Sequence, residues 1–231
     1  MNTAIIVAAG SGARFNSELP KQFFKIKDRS VIEWSVERFH AAPSVDSIIV
    51  VLAEEHIERF RPQLLKFPKI EKIIAGGSSR AESVRNGLAV VSADCEIVAV
   101  HDGARPLVSI NDIEITLAAA QQFGAACLVG TVTDTIKSIR GGEIAATLDR
   151  DKLRRALTPQ AFRTDILKQA FLTVEPDAVV TDECYLVEKI GYPITVVEGK
   201  SINIKITHRE DLILAEALLE IESEQELKAG S

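Results

Sequence analysis

The sequence predicts an α/β fold in which an open, mostly parallel, twisted β-sheet is flanked by helices. Short apolar runs rich in Val and Ile alternate with segments of helical periodicity, a pattern typical of parallel strands covered by helices. Strands are expected at residues 4–9, 47–53, 72–75, 96–100 and 125–132. We therefore predict a Rossmann-like sheet whose ligands bind at the carboxyl ends of its strands.

Helix starts are indicated by capping boxes, in which a hydroxyl bonds the backbone three residues on and an acid reaches back. The three pairs are Ser30 with Glu33, Ser79 with Glu82, and Thr207 with Glu210. Apolar residues at helical spacing predict buried faces on the helix after Ser79 and on the last helix. These are Ala81, Val84, Leu88 and Val91, and then Leu212, Ala215 and Leu219. A short strand at 203–207 is expected to enter the last helix, and 223–231 to form a frayed polar tail.

One segment departs from the alternation of strands and helices. Residues 135–140 and 143–148 flank Gly141-Gly142, a pair that a tight hairpin turn with positive φ favours. An isolated two-stranded ribbon needs packing to be stable, so we expect an arm that contacts a second copy of the chain. The organisation predicted is a single domain over residues 1–231, with the β-arm at about 135–150.

Composition excludes several classes of protein. With 231 residues and 46% hydrophobic content the chain can bury a large core, while its net charge of -6 disfavours a nucleic-acid partner. Three widely spaced cysteines without a C-x-x-C pair indicate reduced, mostly buried thiols rather than a disulfide framework or a zinc site. No signal-peptide pattern or membrane-length apolar stretch is visible, so the cytoplasm is the expected location and no membrane partner is expected.

The loop after the first strand is the strongest functional signal. It reads Ala8-Ala9-Gly10-Ser11-Gly12-Ala13-Arg14 and is followed by Pro20-Lys21-Gln22. Glycines can take positive φ and turn backbone N–H groups toward an anion, and the two cations can offset charge in a phosphate transition state. Phe15 replaces the third glycine of the dinucleotide fingerprint, and the motif G-x-x-x-x-G-K-[ST] is absent. The alternative is a glycine-rich turn with two solvated cations.

Two further strand ends carry polar loops, Gly76-Gly77-Ser78-Ser79-Arg80 and His101-Asp102-Gly103-Ala104-Arg105. Together with the first loop they could close around one nucleotide. The first of them could equally be only a turn with a helix cap. Asp102 could hold a divalent cation, since magnesium in a nucleotide site needs only one or two carboxylates, or it could pair with Arg105. His101 is expected to be structural, because no nucleophile signature accompanies it.

The second half of the chain offers weaker candidates. Arg150 and Lys205 lie beside a turn and a strand end, where a side chain can reach a cleft, but spacing leaves their role open. For Arg154 and Arg155 we prefer a solvated helix face.

The motifs together resemble the family of 2-C-methyl-D-erythritol 4-phosphate cytidylyltransferases of the non-mevalonate isoprenoid pathway, from about residue 4 to 219. The resemblance rests on the two runs of the first loop and on Arg80-Ala81-x-Ser83-Val84, Val100-His101-Asp102-x-Ala104-Arg105-Pro106, Asp134-Thr135-Ile136-Lys137, Asp149-Arg150, Thr158-Pro159-Gln160, Thr181-Asp182-Glu183 and Asn203-Ile204-Lys205-Ile206-Thr207.

The resemblance implies transfer of a cytidylyl group from CTP to the sugar-alcohol phosphate, with magnesium, in a homodimer. It assigns stabilisation of the transition state to Arg14 and Lys21. It assigns binding of the acceptor phosphate to Arg150 and Lys205, with Thr135 nearby, and implies that the hairpin arm brings part of this set across the dimer interface. Asp102 would lie near the metal. The residues expected to contact CTP or line its site are Ala8, Ala9, Gly10, Gly12, Gly77, Arg80, Ser83, Asp102, Gly103, Thr135 and Thr181.

The chain departs from the family pattern at several positions. Val7, Ala13 and Phe15 are packing changes, whereas Ser78 replaces an acid and bears on one contact to the base. The run Leu153-Arg154-Arg155-Ala156-Leu157 lacks a Trp that many members carry before Thr-Pro-Gln. Two other functions stay open: a ribitol-5-phosphate cytidylyltransferase, disfavoured by Ala-Ala-Gly in the first loop, and a non-catalytic nucleotide-binding module, which would not need both cations.

Overall fold

The computed structural model describes residues 1–10, 15, 19–173, 180–200 and 202–229, with side chains as far as Gln225. Two of the predicted site residues, Gly12 and Arg14, lie outside the described residues.

In the described residues the main β-sheet has seven strands in the order β11-β7-β10-β6-β1-β4-β5. The strands are β1 (Asn2–Ala8), β2 (Lys25–Ile26), β3 (Arg29–Ser30), β4 (Ser47–Leu52), β5 (Ile70–Ala75), β6 (Ile97–Asp102), β7 (Ala125–Thr131), β8 (Lys137–Arg140), β9 (Glu143–Thr147), β10 (Arg154–Arg163) and β11 (Thr195–Glu198). The helices are α1 (Val31–Ala41), α2 (Glu54–Leu64), α3 (Arg80–Ala89), α4 (Ile110–Phe123), α5 (Thr164–Leu172), α6 (Glu183–Lys189) and α7 (Glu210–Ala229).

The five predicted strands and the mostly parallel sheet are confirmed, but β10 was not predicted. This strand lies between β6 and β7 and is antiparallel to both. Arg154 and Arg155 therefore lie on an exposed strand end and not, as we expected, on a helix face. Pro159 and two alanines give this segment little strand propensity, so its burial between two neighbouring strands decides its conformation.

Helices cover both faces of the sheet. Successive residues of β1 point to opposite faces, so Ile6 packs in one core cluster with Ile32 and Phe39 of α1, and Ile5 packs in the other with Val84 of α3. A third cluster joins α7 to the start of α1. Because β1 is apolar on both sides, it lies inside the sheet between β6 and β4, and the loop that leaves it emerges beside the end of β6.

The helix caps agree in part with the predictions. The box of Ser30 and Glu33 is complete. Ser79 caps α3, whereas the Glu82 carboxylate accepts from the backbone N–H of Ser78.

At the start of α7 the predicted box is wrong, since Asp211 and not Glu210 accepts from the backbone of Thr207. The strand predicted at 203–207 is also wrong. This segment is irregular and is held beside β6 by a bond from the Ile206 N–H to the Ala104 carbonyl. Ala215 and Leu219 bury one side of α7, and the helix continues through the predicted frayed tail to Ala229.

The predicted hairpin forms from β8 and β9. Gly141 and Gly142 have φ of 59° and 86°, the left-handed values that the turn requires. Its side chains are largely exposed, among them Ile139 and Ile144, which face each other across the two strands. The arm thus presents apolar surface that the described part of this chain does not cover.

The cysteines are free and buried, as expected. Within the described part of the chain, no helix combines the length and the apolar character needed to cross a membrane.

Candidate active site

A cleft of about 510 Å³ opens at the carboxyl ends of β1 and β6. These parallel strands are hydrogen-bonded neighbours, with Val7 in register with Asp102, so the loops that follow them emerge together. Nine of the predicted site residues line the cleft: Ala8, Ala9, Gly10, Lys21, Gly77, Arg80, Ser83, Asp102 and Lys205. The sheet therefore brings together residues from four separate segments of the sequence.

The first loop is fastened to the cleft by Gln22, a residue of the Pro20-Lys21-Gln22 motif to which we had assigned no role. Its buried side chain donates through Nε2 to the carbonyl oxygens of Ala8, at 2.6 Å, and Gly10, at 3.0 Å. Lys21 precedes it in a 3₁₀ turn, and Phe23 follows, stacked on Phe60 with ring centroids 3.7 Å apart. Lys21 is thus held between an anchor on the loop and an anchor in the core.

Two glycines beside the cleft, Gly76 and Gly103, serve close packing, whereas at the cleft-lining Gly10 a Cβ would meet nothing within 4 Å. Gly10 does not have the positive φ that we expected of a phosphate-binding turn. At Gly76, by contrast, a Cβ would lie 2.3 Å from the Cβ of Ala9, and at Gly103 it would lie 2.9 Å from the Cβ of Ala8. The loops after β5 and β6 therefore press against the first loop where side chains would not fit.

The loop after β5 is shaped by Ser83. This serine is buried, donates to the carbonyl of Ser79 at 2.9 Å and accepts from the backbone N–H of Gly77 at 3.1 Å. These contacts hold the backbone of Gly77 against the first turns of α3.

Asp102 is the electrostatic centre of the cleft. Its Oδ1 accepts from Arg80 Nε at 2.9 Å, while its Oδ2 lies 2.8 Å from Lys205 Nζ and 3.5 Å from Arg105 Nε. Burial alone would raise the pKa of Asp102, but the charges of Arg80, Lys205 and Arg105 outweigh it and hold the pKa well below its usual range. One carboxylate thus holds three cations, and positive charge remains available to a polyanion.

Arg80 makes a second ion pair at the back of the cleft. Its Nη1 donates to Glu183 Oε1 at 2.6 Å, and Glu183 is completely buried. Burial raises the pKa of Glu183 above its usual range, and the charge of Arg80 opposes the shift. We did not predict this residue as part of the site. The signal that could have indicated it is its position at the end of the family motif Thr181-Asp182-Glu183.

His101 and Arg105 brace the strand end from behind. The Arg105 carbonyl can only accept, so the proton of His101 lies on Nε2, 3.2 Å away, and Nδ1 contacts the Thr158 hydroxyl at 3.0 Å. Burial lowers the pKa of His101 to about 3, so the ring is neutral, in agreement with a structural role. Arg105 Nη1 also donates to the Asn203 carbonyl at 2.9 Å, which holds the segment that carries Lys205.

Four of the predicted residues are not among those that line the cleft. Gly103 lies directly beneath Ala8. Thr135 and Arg150 belong to the exposed arm, where Arg150 Nη1 donates to the Thr133 carbonyl at 2.8 Å. Thr181 is exposed just before α6.

The cleft offers little to a resident metal ion. Among the described residues no group of three His, Cys, Asp or Glu side chains could hold a metal. Asp102 is the one carboxylate lining the cleft there, and both its oxygens already contact cations. The donor set fits an ion that arrives with phosphate oxygens and takes at most one protein carboxylate.

Comparison with known proteins decides the family. The sequence profile of the 2-C-methyl-D-erythritol 4-phosphate cytidylyltransferases matches residues 2–221. The chain belongs to this family. The cytidylyltransferase of Endomicrobium trichonymphae is 42% identical over 219 residues, which cover 94% of this chain and 98% of the relative. That of Clostridium botulinum strain Langeland is 40% identical over 223 residues, covering 95% and 97%.

Solved structures agree with the family assignment. The 4-diphosphocytidyl-2C-methyl-D-erythritol synthase of Anaerococcus prevotii superposes with a TM-score of 0.84 at 29% identity, covering 95% of this chain and 96% of that one. The 2-C-methyl-D-erythritol 4-phosphate cytidylyltransferase of Thermus thermophilus superposes with a TM-score of 0.76 at 32% identity, covering 94% and 98%. Two predictions for this cytidylyltransferase are therefore confirmed: the Rossmann-like sheet and the nucleotidyltransferase class.

Proposed function

We propose that this enzyme transfers the cytidylyl group of CTP to 2-C-methyl-D-erythritol 4-phosphate, forming 4-diphosphocytidyl-2-C-methyl-D-erythritol and pyrophosphate for isoprenoid precursor synthesis. The observation that carries the proposal is the cation cluster around Asp102 at the end of β6, in a cleft that Lys21 also lines. Such a cleft suits a triphosphate, and the family match names the nucleotide and the acceptor.

CTP would lie against the first loop. Backbone groups of Ala8, Ala9, Gly10 and Gly77, together with Ser83, would contact the base and ribose, and the triphosphate would face Lys21. The acceptor phosphate is already anionic at neutral pH and attacks the α-phosphorus directly, displacing pyrophosphate. Catalysis then depends on alignment and on cations that offset the charge of two crowded phosphates, the role we assign to Lys21 and to Arg14.

The acceptor phosphate would bind Lys205 and Arg150, with Thr135 close by. Lys205 lies in the cleft while Arg150 and Thr135 lie on the exposed arm, so one chain does not gather the whole set. We propose that a homodimer does so: the arm of one subunit covers the acceptor side of the other, burying Ile139 and Ile144.

Magnesium would enter with the nucleotide. We propose that Mg–CTP is the substrate form, with phosphate oxygens as most of the metal's ligands and Asp102 the nearest carboxylate. The bound ion supplies additional positive charge at the phosphates. Apart from this ion, the first loop, Gly77, Ser83 and Lys21 would hold and orient CTP.

The enzyme would act as one nucleotidyltransferase domain in the cytoplasm, on small molecules and without a nucleic-acid or membrane partner. The net charge of -6 supports the absence of a nucleic-acid partner, because the positive charge we describe is local to the cleft.

The deciding experiment is a pyrophosphate-release assay with CTP, magnesium and each of two acceptors. We expect turnover with methylerythritol phosphate and at least a hundredfold lower kcat/KM with ribitol 5-phosphate, a difference of about 2.7 kcal/mol. Faster turnover of ribitol phosphate would replace the proposed acceptor. CTP binding without turnover of either compound would favour a non-catalytic module.

A further inference from the structure

Glu183 is the most deeply buried acid around the cleft, and the chemistry proposed above makes no use of it. Its side chain is completely buried, and it is not among the described residues that line the cleft. One oxygen accepts from Arg80, and the other, Oε2, has no hydrogen-bond partner within the described part of the chain. A buried, half-satisfied carboxylate costs several kcal/mol of desolvation, and an ion pair seldom returns more than that in stability. Stability alone therefore does not account for an acid at this position.

Arg80 is held by two carboxylates from separate parts of the fold. Nε donates to Asp102 at the end of β6, and Nη1 donates to Glu183 at the start of α6. Because the guanidinium is planar and rigid, two anchors on different nitrogens fix the orientation of its plane, which a single anchor does not. Arg80 itself lines the cleft.

We infer that Glu183 is a positioning residue that orients Arg80 and, through it, the carboxylate of Asp102 for binding of Mg–CTP. With Arg80 turned toward Glu183, only its Nε reaches Asp102, and it reaches Oδ1. The Oδ2 oxygen is left to Lys205 and Arg105. Without the charge on Glu183, Arg80 can turn to grip both oxygens of Asp102 and compete with Lys205. The inference rests on the proposed function for the identity of the nucleotide.

The primary test is the variant Glu183→Gln, which keeps the volume and one acceptor oxygen but removes the charge. We measure the dissociation constant of Mg–CTP by calorimetry, and then kcat and KM for both substrates. We expect roughly tenfold weaker Mg–CTP binding, or about 1.4 kcal/mol. Glu188→Gln, an exposed acid on the same helix, serves as the matched control and leaves binding unchanged. Binding by Glu183→Gln within twofold of the parent would overturn the inference.

A double-mutant cycle separates positioning from a merely structural role. If Glu183 acts through Arg80, then Glu183→Gln has less than a twofold effect on Mg–CTP binding once Arg80→Met is present. If Glu183 only packed α6, its replacement would weaken Mg–CTP binding by the same factor in both backgrounds. That additivity would contradict the inference. The midpoint of unfolding gives a second readout, because Arg80→Met leaves a buried unpaired charge that Glu183→Gln then removes. We expect the double variant to be more stable than Arg80→Met alone.

Two measurements keep the outcome unambiguous. Should Glu183→Gln not fold, Glu183→Asp takes its place, because it retains the charge but withdraws it from Arg80 by one methylene. We expect Glu183→Asp to bind Mg–CTP at least threefold more weakly. An effect below twofold would refute the inference. Because calorimetry reports nucleotide binding without turnover, failure of the acceptor assay would remove the proposed reaction and leave the Glu183 result standing. A parent enzyme that does not bind Mg–CTP would remove both.

Discussion

Lys205 Nζ lies 2.8 Å from Asp102 Oδ2, so the cation proposed for the acceptor phosphate is held by the carboxylate at the end of β6. The contact joins two segments that the sequence separates by about a hundred residues. Asp102 therefore keeps three cations, Arg80, Arg105 and Lys205, together at one cleft. An incoming phosphate would share Lys205 with Asp102. The charge of the Asp102 carboxylate would still be balanced by Arg80 and Arg105.

Replacing Lys205 tests its assignment to the acceptor. For Lys205→Ala we expect kcat/KM for the acceptor to fall 10- to 100-fold, roughly the 1.5–3 kcal/mol of one charge-assisted hydrogen bond, while Mg–CTP affinity changes much less. Lys200→Ala is the control, an exposed lysine just before the same segment. Equal losses for acceptor and nucleotide would assign Lys205 to the triphosphate instead.

The charge of Asp102 is expected to stabilise the fold in a defined pH range. Its pKa is depressed in the folded state, so its contribution is present above the unfolded-state pKa near 4 and is lost as the pH falls below that value. Asp102→Asn should lower the free energy of unfolding by roughly 3 kcal/mol at pH 7. The difference from the parent should shrink by about 1 kcal/mol at pH 3.

Denaturant unfolding between pH 3 and pH 8 measures this effect, with the exposed Asp28→Asn as control. A difference that stays constant down to pH 3 would mean that Asp102 is not held ionised by its cations.

Gln22 is expected to act on catalysis through Lys21. Gln22→Met keeps the length of the side chain but leaves the Ala8 and Gly10 carbonyls without their donor, at a cost of about 1–3 kcal/mol. We expect kcat to fall roughly tenfold in steady-state assays. The loss should largely disappear in a Lys21→Ala background, because there is then no cation to misplace.

Gln121→Met, on the exposed side of α4, is the control for the substitution itself. A tenfold loss that persists undiminished with Lys21→Ala would show that Gln22 serves the loop alone.

The apolar arm predicts a dimer that completes the acceptor site. Ile139 and Ile144 are 60% and 66% exposed in the single chain, so Ile144→Asp should give monomers in light scattering and raise the KM for the acceptor. Leu172→Asp controls for an exposed apolar residue elsewhere, since Leu172 is 86% exposed on α5, and it should leave the dimer intact. Full acceptor kinetics in a monomer would refute the shared site.

Much of the fold follows from local sequence because its signals are short-range. The apolar runs of β1 and β4 are buried on both faces, and such runs cannot be stable at a surface. The hairpin turn is likewise local, since Gly141 and Gly142 supply the positive φ. By contrast, β10 has no such signal, and its pairing with β6 and β7 depends on strands far away in the chain.

By itself, the sequence determined five strands of a mostly parallel sheet, the loops that carry the proposed site residues, and the family. Only the tertiary structure decided which of these residues meet: Lys205 with Asp102, Gln22 with the Ala8 carbonyl, and Arg80 with Glu183. The reason is physical. Strand and turn propensities act over a few residues, whereas an ion pair or a buried hydrogen bond forms between segments that become neighbours only when the parallel strands align their carboxyl ends.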